Sequence, residues 1–368
     1  MLTKGDEYPI HQLPEPVAFA GTDRNFYDRY FFNGYGPDGS GFFAVAFGIY
    51  PHLNIADAHF SFVRGETQYC VHASRVLGME RMDLQVGPIR IEVLEPLQSL
   101  RITVADETGI SADLTFEGRA FPIEEPRFTH RIGPRTFLDY TRMTQNGRYT
   151  GWIEVDGERF ALAPETVGTR DRSWGVRPIG AADAQPYAPA VAPGFFWQWT
   201  PLNFADRSIF FHINADAEGR PFNLRSVLVP DGAGADGHVE ISDAALETVC
   251  VPGTRHPASG RLAISPPGES EIEILIEPVG RFQMRGIGYV SPTWGHGLYK
   301  GDRVVEREDI RFADLDPMAI DNLHVQFPSK VTFQQAGRPS ASGIGVFEQL
   351  ILGPYKPLGF TGMLDPAG

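Results

Sequence analysis

The chain has 368 residues, of which 42% are hydrophobic and 21% charged, and its formal net charge is −14 at pH 7. At roughly 100–200 residues per domain this length predicts two domains. An acidic surface repels phosphate backbones and anionic lipid, which excludes nucleic-acid binding and favours a neutral, apolar or cationic ligand.

The start, Met1-Leu2-Thr3-Lys4-Gly5-Asp6-Glu7, lacks the basic and apolar parts of a secretory signal. No apolar run approaches the roughly 18 residues that span a bilayer, so no membrane span and a cytoplasmic location are expected. Tyr27-Asp28-Arg29-Tyr30, with Asn33 and Tyr35, packs aromatics, donors and acceptors together; a salt-bridged first hairpin and a ligand-contact role for the group both account for it. Gly34–Gly41 is rich in glycine but has neither lysine nor a following helix, so it reads as a loop and not a phosphate cradle.

Period-two alternation then dominates. Ile89, Ile91 and Val93, then Leu100, Ile102 and Val104, then Ala112, Leu114 and Phe116, and later Ile272, Ile274 and Ile276 each predict a strand with one face in a core. Asp38-Gly39, Asn146-Gly147, Asp156-Gly157 and Asp231-Gly232 are turn dipeptides, because their residues tolerate positive φ. A helical turn is expected near Asp243–Glu247 and hardly any other helix, since 40 Gly and 30 Pro interrupt long ones. Many short strands with frequent turns predict an all-β chain of two antiparallel barrels, a closure that removes exposed edges. The small-residue, Pro- and Gly-rich stretch 181–194 reads as a linker between domains at 1–180 and 195–368. Cys70 and Cys250, one in each half, cannot form a disulfide framework and read as buried thiols.

One phrase is echoed. Thr169-Arg170-Asp171-Arg172-Ser173-Trp174-Gly175 is matched by Val290-Ser291-Pro292-Thr293-Trp294-Gly295-His296-Gly297, each placing a hydroxyl residue, a tryptophan and a glycine close together. The repetition suggests two related β-domains, each copy following a strand. Together with Gly151-Trp152-Ile153-Glu154-Val155-Asp156-Gly157, the first copy resembles the end of the first domain in the tandem lipocalin-like superfamily. That superfamily includes carotenoid 1,2-hydratases, kievitone-hydratase-like enzymes and AttH-like proteins. The resemblance implies two lipocalin-like barrels in tandem and, from members of known activity, hydration or cyclisation of an apolar unsaturated substrate. Asp171, Trp174 and Gly175 match the family's Asp-His-x-Trp-Gly element, but Arg172 replaces its histidine, so no acid–base role of that histidine carries over.

Such chemistry needs a proton donor and a dry aromatic pocket that tolerates a transient cation. Trp174, Trp197, Trp199, Trp294 and Phe196 are the candidate walls, with packing inside a barrel as the competing role; a Trp174 packed under Arg170, Arg172 or Arg177 would close a barrel end. Asp171 is the acid by analogy, although an adjacent cation such as Arg170 or Arg172 lowers a carboxyl pKa by about 1–3 units where it points the same way. His296 follows Trp294-Gly295 in a permissive backbone, and an unperturbed imidazole titrates near neutrality. His212 and Tyr27 are reserve proton-transfer groups, and His324, within an expected strand, is a pocket contact. The ten histidines lack zinc-site spacing, and no Gly-x-Ser-x-Gly elbow occurs, so neither a metal nor a serine nucleophile is expected.

The resulting expectation is a cofactor-independent lyase or isomerase using acid–base catalysis on an apolar terpenoid, steroid-like or aromatic substrate. The competing expectation is a carrier that sequesters a small hydrophobic ligand in the same barrels. Either is compatible with a homodimer.

Overall fold

The alternating runs form strands wherever one set of side chains can be buried against another. The computed structural model describes residues 4–10, 19, 21, 23–182, 185 and 194–368, and the expected linker at 181–194 falls mostly outside them. The protein is all-β, with a half-barrel sheet and a nearly closed barrel sheet, both antiparallel. Helix among the described residues is limited to short 3-10 turns. The chain divides into two compact units, one of Met1–Gly36, Gly41–Ala182 and Arg285–Phe312, the other of Pro37–Ser40, Asp183–Met284 and Ala313–Gly368.

The first unit is built on four long strands, β1 (Phe26–Tyr35), β2 (Phe43–Tyr50), β3 (Ile55–Arg64) and β4 (Thr67–Val76), paired in order. On its other edge β1 pairs with the Val167–Val176 strand, which pairs with the 21-residue strand Arg135–Val155. On its other edge β4 pairs with Arg303–Arg311, a strand that comes from far along the chain. One face of β1–β4 presents Phe32, Phe43, Val45, Phe47, Ala58, Phe60 and Val71 to a core shared with Ile91, Ile102 and Leu114 from the predicted alternating strands. Truncating a buried leucine such as Leu114 to alanine costs about 2–5 kcal/mol.

The opposite face of the same four strands is also buried, which is why their burial does not alternate. It is lined by small and polar side chains: Ala44, Ala46 and Gly48 on β2, Asp57, His59 and Ser61 on β3, and Cys70, His72 and Ser74 on β4. Arg170 pairs with Glu7 at 2.6 Å and Arg172 with Asp28 at 2.6 Å, all four side chains fully buried.

The second unit's sheet runs from Val239–Ile241 through Pro221–Pro230, Arg207–Ala215, Phe195–Asn203, Ala341–Leu352, Val325–Gln335, Ile272–Pro278 and Pro257–Ser265 to Asp243–Cys250. Leu202, Phe211, Leu262, Ile274, Val331 and Phe347 fill its interior.

Three local expectations are corrected. Asp243–Glu247 is strand and not a helical turn, because its alternate residues pack onto the neighbouring strand Pro257–Ser265. Asn146-Gly147 lies inside the long Arg135–Val155 strand, where Gly147 lets the Phe116 ring approach; Asp156-Gly157 makes the reversal, with φ of 52° and 82°. The second copy of the echo is not on a strand: Val290–Gly297 belongs to an irregular connection between the 3-10 turn Met284–Ile287 and the Arg303–Arg311 strand. Both copies fall in the first unit, so the echo is not a repeat of one element in two domains.

Candidate functional site

The connection 285–302 packs over the polar face of β1–β4 and turns it into an enclosed cluster. Ser61 Oγ donates to Gly286 O at 2.8 Å, and Gly297 N donates to Asp57 Oδ2 at 2.7 Å. Trp294 stacks on His72, with centroids 5.3 Å apart and planes at 13°, and its Nε1 donates to Glu306 Oε2 at 2.8 Å. Gly288 sits at φ 90° where a Cβ would meet His296 Cδ2 at 2.6 Å and His59 Nε2 at 2.9 Å. Val290, a β-branched residue at φ 53°, holds strain in the same connection.

Beneath it runs a chain of hydrogen bonds. Arg285 Nη2 donates to Glu308 Oε1 at 2.7 Å, the other carboxylate oxygen lies 3.3 Å from His72 Nε2, and His72 Nδ1 lies 2.9 Å from His59 Nδ1. Hydrogen bonds from His72 and Arg285 hold the Glu308 carboxyl below its ordinary value against the pull of burial. Burial pushes the His72 imidazole down to about 4, so it is neutral at pH 7. An ionised carboxylate requires the proton of a neutral His72 on Nε2, which leaves Nδ1 as an acceptor and places the His59 proton on Nδ1. In the neutral form of His59 the lone pair is then on Nε2, a nitrogen that is buried, has no hydrogen-bond partner among the described residues, and faces Asp57 Oδ1 at 3.8 Å. Asp57 is itself fixed by Tyr50 Oη, which donates to Oδ1 at 2.9 Å.

His296, expected to titrate near neutrality, is corrected to a locked neutral ring. Its Nε2 is 2.8 Å from Ile287 O and therefore donates, and its Nδ1 accepts from Arg177 Nη2 at 3.1 Å. Burial first, then the charges of Arg29 and Arg177, hold it well below the ordinary histidine value. With both nitrogens engaged, it orients Arg177 and closes one side of the cluster.

Asp171 and Tyr27 lie on the same face as this cluster. Strand pairing sets Asp171 opposite Phe31, Ser173 opposite Arg29 and Gly175 opposite Tyr27, while Arg170 and Arg172 face the other way into their pairs with Glu7 and Asp28. Asp171 acts electrostatically on Arg29, Arg142 and Tyr27. Burial raises the Tyr27 hydroxyl against the charge of Arg177, whose guanidinium lies 4.6 Å above its ring. On the opposite face Arg172 stacks over Tyr30 and Arg170 over Phe116. Trp174 is half-buried on the strand that bears them.

The other expected residues belong to the second unit. Trp197 and Trp199 share one strand face, as alternation requires, with His212 opposite Trp199 and stacked on Trp197 at 5.8 Å. Trp197 Nε1 donates to Glu348 Oε1 at 2.7 Å, His324 Nε2 lies 2.8 Å from the same oxygen, and Gln326 Nε2 donates to Oε2. Burial pulls the Glu348 carboxyl up, yet these hydrogen bonds hold it below its ordinary value. Phe196 faces the other way and stacks on Tyr355 at 3.8 Å within an apolar cluster.

His59, His72, Glu308 and Glu348 were not expected from the sequence, whereas Arg29 belongs to the Tyr27–Tyr30 group singled out there. The available signal was on β2–β4, where large apolar residues alternate with small or polar ones on three successive strands; that pattern was indistinguishable from a solvated face. Among the described residues no group of three or more His, Cys, Asp and Glu could hold a metal ion, and no helix is long and apolar enough to cross a membrane.

A family model described as a family of unknown function, DUF8625, matches residues 2–361. The chain belongs to the DUF8625 family. No curated protein matches it. Among solved structures, the DUF8625 chain is similar to a putative AttH from Nitrosomonas europaea, with 14% identity over 92% of this chain and 96% of that one and a TM-score of 0.52. CghA, solved with Sch210972, is similar at 11% identity over 94% of each chain, with a TM-score of 0.53. Kievitone hydratase from Nectria haematococca follows at 12% identity over 88% of each chain and a TM-score of 0.47. At these identities the likeness is one of fold.

Proposed function

We propose that this protein is a cofactor-independent lyase or isomerase that moves protons on an apolar, unsaturated small molecule, with His59 Nε2 as the general base. The observation that carries this reading is the buried His59 nitrogen without a partner, backed by a chain through His72 to the ionised Glu308. A lone pair kept dry and unpaired costs about 1–3 kcal/mol, a cost folding alone gains nothing from. When Nε2 takes a proton, the imidazolium charge develops toward Asp57, 3.8 Å away, and is stabilised by it. Tyr27, whose hydroxyl stays protonated, and Asp171 on the same face are the proposed proton-donating side, and Trp294 is a wall. Trp174 and the second-unit residues Trp197, Trp199, His212 and His324 are further proposed ligand contacts.

The base lies under the 285–302 connection, so turnover includes a step in which that segment lifts, and the strained Val290 lowers the cost of doing so. A ligand role for this fold is supported by CghA, which has been solved with Sch210972. The test is incubation with a panel of alkenes, enones and phenolics in D2O, following product and deuterium incorporation by mass spectrometry. Wild-type protein should convert a panel member with deuterium incorporation, and His59→Gln should lose about 100- to 10,000-fold in rate. Undiminished turnover by His59→Gln would overturn the assignment of the base. A ligand that stabilises the fold yet is never converted would assign the protein to carriage instead.

A further inference from the structure

Arg29 is 2% exposed and sits mid-strand on the polar face of β1, between Gly48 and Ser173 of the neighbouring strands. Its Nη1 donates to Tyr289 Oη at 2.5 Å, and the guanidinium carbon lies 4.4 Å from that ring's centroid. Its Nε and Nη2 are buried and have no hydrogen-bond partner among the described residues. Arg177 Nε, beside the same Tyr289 ring, is likewise buried and unpartnered. The carboxylate that shares this face, Asp171, acts on Arg29 through space without accepting from these two nitrogens. Three other arginines of this unit have carboxylates in place: the buried Arg170 with Glu7, the buried Arg172 with Asp28, and the half-buried Arg142 with Glu125 at 2.7 Å.

We propose that Arg29 is the anchor for a substrate carboxylate, received by its Nε and Nη2 as a bidentate pair, with Arg177 adding a second cation. Nε and one Nη of a guanidinium point the same way and match the two oxygens of a carboxylate, so the two orphaned donors are the pair that a single acid would satisfy. The surrounding Tyr27, Phe31 and Tyr289 suit an apolar body attached to that acid. This refines the ligand class read from the acidic composition: the formal charge of −14 describes the whole chain, whereas Arg29 and Arg177 set the local sign. Register places Arg29 in line with Asp57, two strands away, and two residues along the strand from His59, about 12 Å between backbones at 4.8 Å per strand and 3.4 Å per residue. The carboxylate is therefore a handle held away from the reacting carbon and not the reacting group.

This inference rests on the proposed reading of the cluster as a site, and its test separates the two. The probe is benzoate, with benzamide as the neutral control of the same shape, followed by calorimetry and thermal shift at pH 7. Wild type and His59→Gln should both bind benzoate at least tenfold more tightly than benzamide, and Arg29→Met should lose that preference while retaining the wild-type circular dichroism spectrum. Should Arg29→Met fail to fold, the Nε–Hε resonances of arginine-labelled wild-type protein provide the readout, one of them shifting with benzoate and not with benzamide. Equal affinity for the two probes, benzoate binding undiminished in Arg29→Met, or unmoved Nε–Hε resonances would overturn the anchor. Loss of turnover in His59→Gln with benzoate binding intact supports both assignments, and benzoate binding without turnover in any protein leaves the anchor standing and removes the base.

Discussion

His59 and His72 meet Nδ1 to Nδ1 at 2.9 Å, both rings fully buried on adjacent strands. Only one of the two nitrogens bears a proton, and Glu308 decides which. His72→Gln and Glu308→Gln should therefore shift the His59 tautomer toward Nε2–H, read from the histidine 15N shifts, and lower turnover by about 10- to 100-fold through His59 orientation. An unchanged His59 tautomer in both variants would show that the chain does not position the ring.

Stability should rise with pH between about 4 and 6.5. His72 and His256 are both pushed down to about 4 by burial, so over this window the unfolded chain binds protons that the native protein does not. Their contribution is complete above the unfolded histidine pKa and is lost as pH falls toward the folded value, about 3 kcal/mol for each ring at most. Urea unfolding of wild type and His72→Gln at pH 4.5 and pH 7 measures it, and the variant should show the smaller difference.

Gly288→Ala should cost about 1–3 kcal/mol and disturb the site together. The φ of 90° disfavours any side chain, and the added methyl would lie 2.6 Å from His296 Cδ2 and 2.9 Å from His59 Nε2. Thermal denaturation gives the stability loss, and the His59 and His296 resonances should shift. A neutral outcome in both would mean that the connection does not press on these rings.

Glu348→Gln replaces a buried acceptor-only group with one that points an NH2 at a donor. Trp197, His324 and Gln326 all direct nitrogens at this carboxylate, so the variant should lose about 3 kcal/mol and change its tryptophan fluorescence. Wild-type stability and emission would show that the cluster tolerates the exchange.

Arg170→Met should be destabilised by about 3–5 kcal/mol, because it strands the buried Glu7 carboxylate, and the double variant Glu7→Gln, Arg170→Met should recover part of that loss. Chemical denaturation of these two variants and of the Glu7→Gln single variant closes the cycle. Additive losses would show that the pair is not coupled.

Much of the architecture was determined by the sequence itself, because a strand with one apolar face needs only its own alternation to declare which side is buried. Leu100–Val104, Ala112–Phe116 and Ile272–Ile276 are strands for that reason, and Trp197 with Trp199 share a face for the same one. Tyr27 and Asp171 were legible as polar groups in a motif-rich region, and the alternation that separates Asp171 from Arg170 and Arg172 follows from period two alone. What only the tertiary structure decided is which polar face is dry. His59 and His72 alternate with apolar neighbours as solvated residues would, and with Arg29 they became a cluster because residues 285–302 return from far along the chain to cover them. The same return fixed His296 between Ile287 and Arg177 and removed its titration, since a protonation state is set by burial and partners that local spacing does not contain.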